Sequence, residues 1–229
     1  MNKDTHWTSF DLVNKTRNLI KKTFNIKKIK VGHAGTLDPL ASGLMIICTG
    51  KFTKKINEFQ DLDKTYRTTI KLGESTPSFD TETEVDITLP VDHINLELVK
   101  QTLQQFVGKQ EQVPPIYSAI NIDGKRAYQI ARKGETRELK SRSINIYNIE
   151  ILEFNLPNLS IEVTCSKGTY VRALARDVGE ALNTVAHITS LERTKIGNMN
   201  LNEAITIKEL ENKLISHNKQ VVPYETVKI

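Results

Sequence analysis

Apolar residues recur at helical spacing from Ser9 to Phe24, where Leu12, Val13, Thr16, Leu19, Ile20 and Phe24 share one stripe and the Lys and Arg residues fall elsewhere. Ser9 is the expected N-cap. Residues 44–48 are a continuous apolar run between Gly43 and Gly50, the pattern of a strand covered on both faces. Residues 64–72 instead alternate, with Tyr66, Thr68, Ile70 and Leu72 on one face and Arg67, Thr69 and Lys71 on the other, which predicts a half-buried strand ended by Gly73. A helix is predicted over 96–107, closed by Gly108. Pro114-Pro115 opens a loop, Asp123-Gly124 signals a turn, and a short basic helix is expected over 126–133. Two strands follow, at 144–154 and at Leu159, Ile161, Val163 and Cys165. The apolar phase of the first slips near Asn148 and predicts a bulge. Thr169 is the expected cap of a helix that buries Val171, Leu174, Ala175 and Val178 and carries Arg172 and Arg176 on another side. A last helix is expected over 202–214, then a loosely held tail. With no repeat, low-complexity segment or clear linker, the elements read as one mixed α+β body.

Composition is that of an ordinary globular protein: 229 residues, 38% hydrophobic and 26% charged. The net charge of +5 says little, but its layout says more. Residues 12–57 hold ten Lys or Arg and a single acid, Asp38, whereas residues 72–99 hold seven acids and no Lys or Arg. Separated fields of this kind can orient a polyanion. Cys48 and Cys165 lie far apart in apolar runs and read as buried, reduced thiols rather than a disulfide. No charged-then-apolar leader opens the chain, and no apolar run approaches the roughly 20 residues that span a bilayer, so a cytoplasmic protein is expected. The five histidines are scattered and no Cys pair has ligand spacing, which argues against zinc.

Two readings fit Asp38. It can cap a short helical turn with Pro39 at its first position, or it can be the one carboxylate that a basic surface presents to a bound polymer. A cap also fixes a side chain, so the two are compatible.

The stretch His33-Ala-Gly-Thr-Leu-Asp-Pro-Leu-Ala-Ser-Gly43, continued by Cys48-Thr-Gly-Lys-Phe-Thr-Lys54, is followed by three further blocks. These are Lys64-Thr-Tyr66 with Leu72-Gly73; Pro114-Pro-Ile-Tyr-Ser-Ala119 with Gly124-Lys-Arg-Ala-Tyr128 and Ala131-Arg-Lys-Gly134; and Cys165-Ser-Lys-Gly-Thr-Tyr-Val-Arg172. In this order and spacing the set resembles the bacterial tRNA pseudouridine synthase B (TruB) family over roughly residues 3–204. The resemblance implies a mixed, mainly antiparallel sheet flanked by helices with a catalytic cleft. It implies isomerisation of uridine 55 in the tRNA T-loop, without metal or cofactor, by a monomer whose partner is the T-loop and stem. Asp38 is then the catalytic carboxylate, Arg172 the guanidinium that pairs with it, and Tyr66 the ring against the uracil. His33 enters the space near the extracted base, Tyr170 and Leu191 line the uracil pocket, and Lys51, Lys54, Lys125, Arg126, Arg132 and Arg193 are candidate phosphate contacts. The catalytic domain is expected over 1–215, with 216–229 a tail and no C-terminal RNA-binding domain of the PUA type.

The chain also departs from the pattern. Asn2-Lys3-Asp4 replaces an apolar strand and Asp-Lys-Pro, so the first strand is expected to be missing. Asn121 and Glu192 replace a Lys and an Arg, which predicts weaker RNA binding, and Pro77 and Thr83 replace an Asp and a Gly. A rival from another class is a non-catalytic RNA-binding or tRNA-folding protein on the same scaffold.

Overall fold

The alternation along 64–72 builds a strand that becomes the centre of a sheet. The computed structural model describes residues 1–122, 124–135, 137 and 139–220. In chain order they form β1 (Asn2–Lys3), α1 (Ser9–Thr23), β2 (Val31–His33), β3 (Ser42–Leu44), β4 (Ile47–Thr49), α2 (Ile56–Gln60), β5 (Lys64–Leu72), β6 (Glu74–Ser75), β7 (Ile87–Thr88), α3 (Leu96–Gln105), β8 (Gly108–Gln112), β9 (Asn121–Ile122), β10 (Lys125–Arg126), α4 (Ala127–Ala131), β11 (Arg142–Asn155), β12 (Asn158–Cys165), α5 (Val171–Ala181), β13 (Ala186–Ile196), β14 (Met199–Asn200) and α6 (Ile207–Gln220). The chain divides into two compact units, Met1–Gln60 with the chain from Met199 onward, and Asp61–Asn198.

The second unit is an antiparallel sheet ordered β13-β5-β12-β11-β8. On one face Ile70, Leu72, Leu159, Ile161, Val163 and Cys165 meet Val171, Leu174 and Val178 of α5 and Val99 and Leu103 of α3. On the other, cross-strand polar pairs form between Thr65 and Thr164 (3.0 Å), Thr69 and Ser160 (3.1 Å), and Arg67 and Glu162 (2.8 Å). Such pairs contribute about 0.2–1 kcal/mol each, against about 1.5–3 for each fully buried aliphatic side chain, so the apolar face carries the sheet. The bulge expected near Asn148 is present, as a register shift between Ile146 and Asn148.

Two strands escape the period-2 pattern. In β13, register shifts at 188/190 and 193/195 break the alternation and turn the polar Arg193 to lie opposite Tyr66. β8 is a polar edge strand, Gly-Lys-Gln-Glu-Gln, paired only with β11.

In the first unit Thr8, not Ser9, caps α1, through a capping box with Asp11. Asn25, with φ of 48°, stands just past the cap residue Phe24, and Ile26 N–H donates back to Lys21 O (3.2 Å), a Schellman closure. The run 44–48 is not one strand: β3 and β4 flank Met45 and Ile46, and they pair with β1 and β2. β1 occupies, in short form, the place where the strand was expected to be missing. α6 starts later than predicted, at a Thr206–Glu209 capping pair, and runs on past Leu214 into the expected tail. Asp123 of the expected Asp123-Gly124 turn and the end of the tail fall outside the described residues, while Gly124 has the positive φ (84°) of a turn glycine. Among the described residues no helix is long and apolar enough to cross a membrane.

Gly179 of α5 has no room for a side chain: a Cβ there would sit 2.7 Å from Ala186 N and 2.8 Å from Val185 C. Helix propensity alone favours Gly179→Ala by about 1 kcal/mol. Backbone cannot retreat like a side chain, so we expect overpacking of about 1–3 kcal/mol to win and the urea midpoint to fall.

Burial pushes the Cys165 thiol up to about 11 from its ordinary 9.0. The folded form thus keeps a proton that the unfolded chain loses above pH 9, and this component of stability falls as pH rises through the window. Wild type should lose up to about 1.4 kcal/mol per pH unit between about pH 9 and 11 relative to Cys165→Ala, read as the difference between their unfolding free energies.

Candidate active site

Asp38 lies in a tight turn rather than at a helix start, because no helix follows it and Ala41 N–H donates to its carbonyl (3.1 Å). Its neighbours are held from α1 and the N-terminus. The Ser9 hydroxyl, freed from capping, donates to Leu37 O (3.0 Å) and accepts from Leu37 N–H (2.8 Å). Pro39 O accepts from His6 N–H (2.7 Å) and from Lys3 Nζ (3.5 Å). The Lys3 ammonium, 0% exposed as a residue, also donates to Trp7 O (2.7 Å) and Asp4 O (3.0 Å), so a charge is buried inside a ring of carbonyls. Each bond is worth about 0.5–1.5 kcal/mol net, so together they offset part of the 1–2 kcal/mol per residue that ordering a turn costs. His33 ends β2 opposite Ile47 and is half-buried, and Lys54 stands exposed in a 3-10 turn at Gly50–Lys55.

In the second unit Tyr66 sits in the middle of β5, opposite Val163 on one side and Arg193 on the other. Leu191 lies opposite Thr68, so Tyr66 and Leu191 are diagonal neighbours on one face, both half-buried. Tyr170 precedes α5 and is clamped by the buried Gln112, whose amide accepts from Tyr170 N–H (2.8 Å) and donates to Tyr170 O (3.2 Å). The Arg142 guanidinium lies 5.2 Å from its ring centroid. Thr169 does not cap α5; its hydroxyl donates to Ser166 O (3.0 Å).

Arg172, in the first turn of α5, is 3% exposed. It donates to Ser78 O (3.1 Å) and Tyr117 O (2.9 Å) and forms an ion pair with Asp80 (3.4 Å). Asp80 in turn accepts from the Ser78 hydroxyl (2.7 Å) and from Glu82 N–H (2.8 Å). A cation in the first turn of a helix is unfavourable, and the buried carboxylate offsets that. Thr83, found where the family pattern has Gly, accepts from Ser78 N–H (3.1 Å) and so braces the same loop. Nothing in the local sequence around Asp80 marked it out from the other acids of its run.

Arg126 is exposed and donates to Ala119 O (2.6 Å). Arg132 pairs with Glu82 (2.6 Å) over the Tyr128 ring, and its side chain stays 61% exposed. Arg193 is only 1% exposed, which corrects its place among surface phosphate contacts. Close by in the same strands, burial and then Arg193 push the Lys64 ammonium below its ordinary value. Among the described residues no three His, Cys, Asp or Glu side chains are grouped to hold a metal ion.

Comparison with known proteins adds to this geometry. A profile described as the TruB family pseudouridylate synthase N-terminal domain matches residues 21–171, and one described as the tRNA pseudouridylate synthase B C-terminal domain matches residues 172–226. The chain is 57% identical to tRNA pseudouridine synthase B of Phocaeicola vulgatus, covering 90% of this chain and 88% of that one. It is 51% identical to the protein of the same name from Flavobacterium johnsoniae, covering 93% and 94%. Among solved structures, a Cbf5-Nop10-Gar1 complex aligns with TM-score 0.66 at 26% identity, covering 92% of this chain and 52% of that chain. The chain therefore spans about half the length of that structural relative.

Removing the Asp80 carboxylate would break the buried ion pair it makes with the Arg172 guanidinium (3.4 Å). We expect Asp80→Ala to cost about 3–5 kcal/mol in chemical denaturation, the scale of a broken buried pair. A neutral result would show that the ion pair with Asp80 is not needed to hold Arg172.

Proposed function

The chain belongs to the TruB family of pseudouridylate synthases, and from that membership we propose that it converts uridine 55 in the T-loop of tRNA to pseudouridine. In this isomerisation the N1–C1′ bond breaks, the uracil turns, and a C5–C1′ bond forms. C5 loses a proton and N1 gains one, so atoms balance with no cofactor. The reaction needs an ionised acid at the ribose, as nucleophile at the sugar or as base there, and either route works only if that acid is held at one geometry.

The observation that carries the reading is the Asp38 turn. A single carboxylate among ten cations is fixed through hydrogen bonds to Leu37, Asp38 and Pro39. The fixed turn suits a reacting group, and the surrounding cations suit the RNA that must come to it. Arg172 has the task of steadying the Asp38 carboxylate in its ionised form. Tyr66 stacks on the uracil and assists the C5 proton, with Leu191 and Tyr170 lining the same pocket. An enzyme acting on a stacked base must extrude it, at a cost of a few kcal/mol, and His33 fills part of the space left behind. Lys54, Arg126 and Arg132 bind phosphates of the T-loop and stem. The protein acts as a monomer in the cytoplasm, and its catalytic domain covers residues 1–215.

The test is tritium release from a tRNA transcript labelled at C5 of uridine. Wild type should release tritium and form pseudouridine at position 55, and Asp38→Ala should release none while still binding the transcript. If neither protein releases tritium and both bind, the chain is an RNA-binding helper rather than an isomerase.

A further inference from the structure

Two lysine runs far apart in sequence are brought side by side in the first unit, beside an aromatic ring that folding does not use. Lys27, Lys28 and Lys30 leave α1 through the Schellman closure at Asn25, and Arg17 ties the start of β2 by donating to Val31 O (3.2 Å). At the end of the β2–β4 pair Gly50 N–H donates to Lys30 O (2.8 Å), and Thr53 hydroxyl donates to Gly50 O (2.8 Å), which fixes the 3-10 turn carrying Lys51, Phe52, Lys54 and Lys55. All six lysines are exposed. Phe52 is 62% exposed, with the Lys55 ammonium 6.0 Å from its ring centroid. A ring so open contributes little to folding, and an aromatic face amid cations is the chemistry that holds single-stranded nucleic acid. β2 covers three residues, so this surface lies about 10 Å along the chain from His33.

We propose that this surface is a second contact for the substrate RNA: an unpaired base stacks on Phe52 while neighbouring phosphates lie on Lys27, Lys28, Lys30, Lys51 and Lys54. The inference rests on the functional reading above and adds to it a site outside the uracil pocket. The lysines account for salt-dependent attraction, and the ring accounts for a salt-independent part that favours an unstacked base over a duplex.

The test is binding of a fluorescent tRNA transcript from about 50 to 200 mM salt, by wild type, Phe52→Ala, Phe52→Trp and the double variant Lys51→Gln/Lys54→Gln. Loss of stacking should weaken Phe52→Ala about 5- to 100-fold with an unchanged salt slope, and Phe52→Trp should keep wild-type affinity. The double variant should lose about 2 from the magnitude of the slope of log K against log salt. Thermal unfolding of Phe52→Ala should match wild type, because a ring this open is not part of the core. Wild-type affinity in Phe52→Ala, or a wild-type slope in the double variant, overturns the proposal. Absence of pseudouridine formation by wild type would instead defeat the functional reading, whatever the binding curves show.

Discussion

In the proposed reading the Asp38 carboxylate meets a ribose outside the protein, and it cannot rely on burial to hold it still. In this chain hydrogen bonds fix the backbone on either side of Asp38. The Ser9 hydroxyl uses both its donor and its acceptor on Leu37, and Pro39 is held by His6 and the buried Lys3 ammonium. Those anchors come from the chain's first nine residues, so the N-terminus is part of the catalytic apparatus in the proposed reading rather than a dispensable lead-in.

Arg172 shows the complementary solution. A guanidinium at 3% exposure is tolerable only if its donors and its charge are both answered, and Ser78, Tyr117 and Asp80 answer them. The loop that supplies two of these groups is itself braced by Thr83 and by Phe79, whose ring lies 5.2 Å from the Arg176 guanidinium. A fixed cation of this kind changes little on binding, which suits the charge-stabilising task proposed for it.

Much of this was legible in the sequence where the physics is local. The period-2 pattern of β5 and β12, the slip that becomes the bulge after Ile146, and the start of α3 at Leu96 all follow from neighbours within a few residues, although α3 ends at Gln105, short of the expected stop at Gly108. What escaped is long-range. Ser9 has the composition of a cap, yet Thr8 takes that role and Ser9 bonds 28 residues away. Asp80 looks like any acid of a solvated run until the fold brings Arg172 to it. β13 hid because its bulges put charged residues where an apolar phase was sought. The site residues themselves came from motif resemblance: Asp38 stood out as the one acid in a basic stretch, and spacing alone would have left Tyr66 in the core.

The central claim, that Asp38 works because its turn is rigid before substrate arrives, is tested most directly by amide hydrogen exchange at Leu37. Its N–H, donated to the Ser9 hydroxyl, should be strongly protected in the free wild-type protein and should exchange rapidly in Ser9→Ala, with tritium release from tRNA falling in step. Fast exchange at Leu37 in wild type, or full activity in a Ser9→Ala protein whose Leu37 amide has lost its protection, would contradict the account.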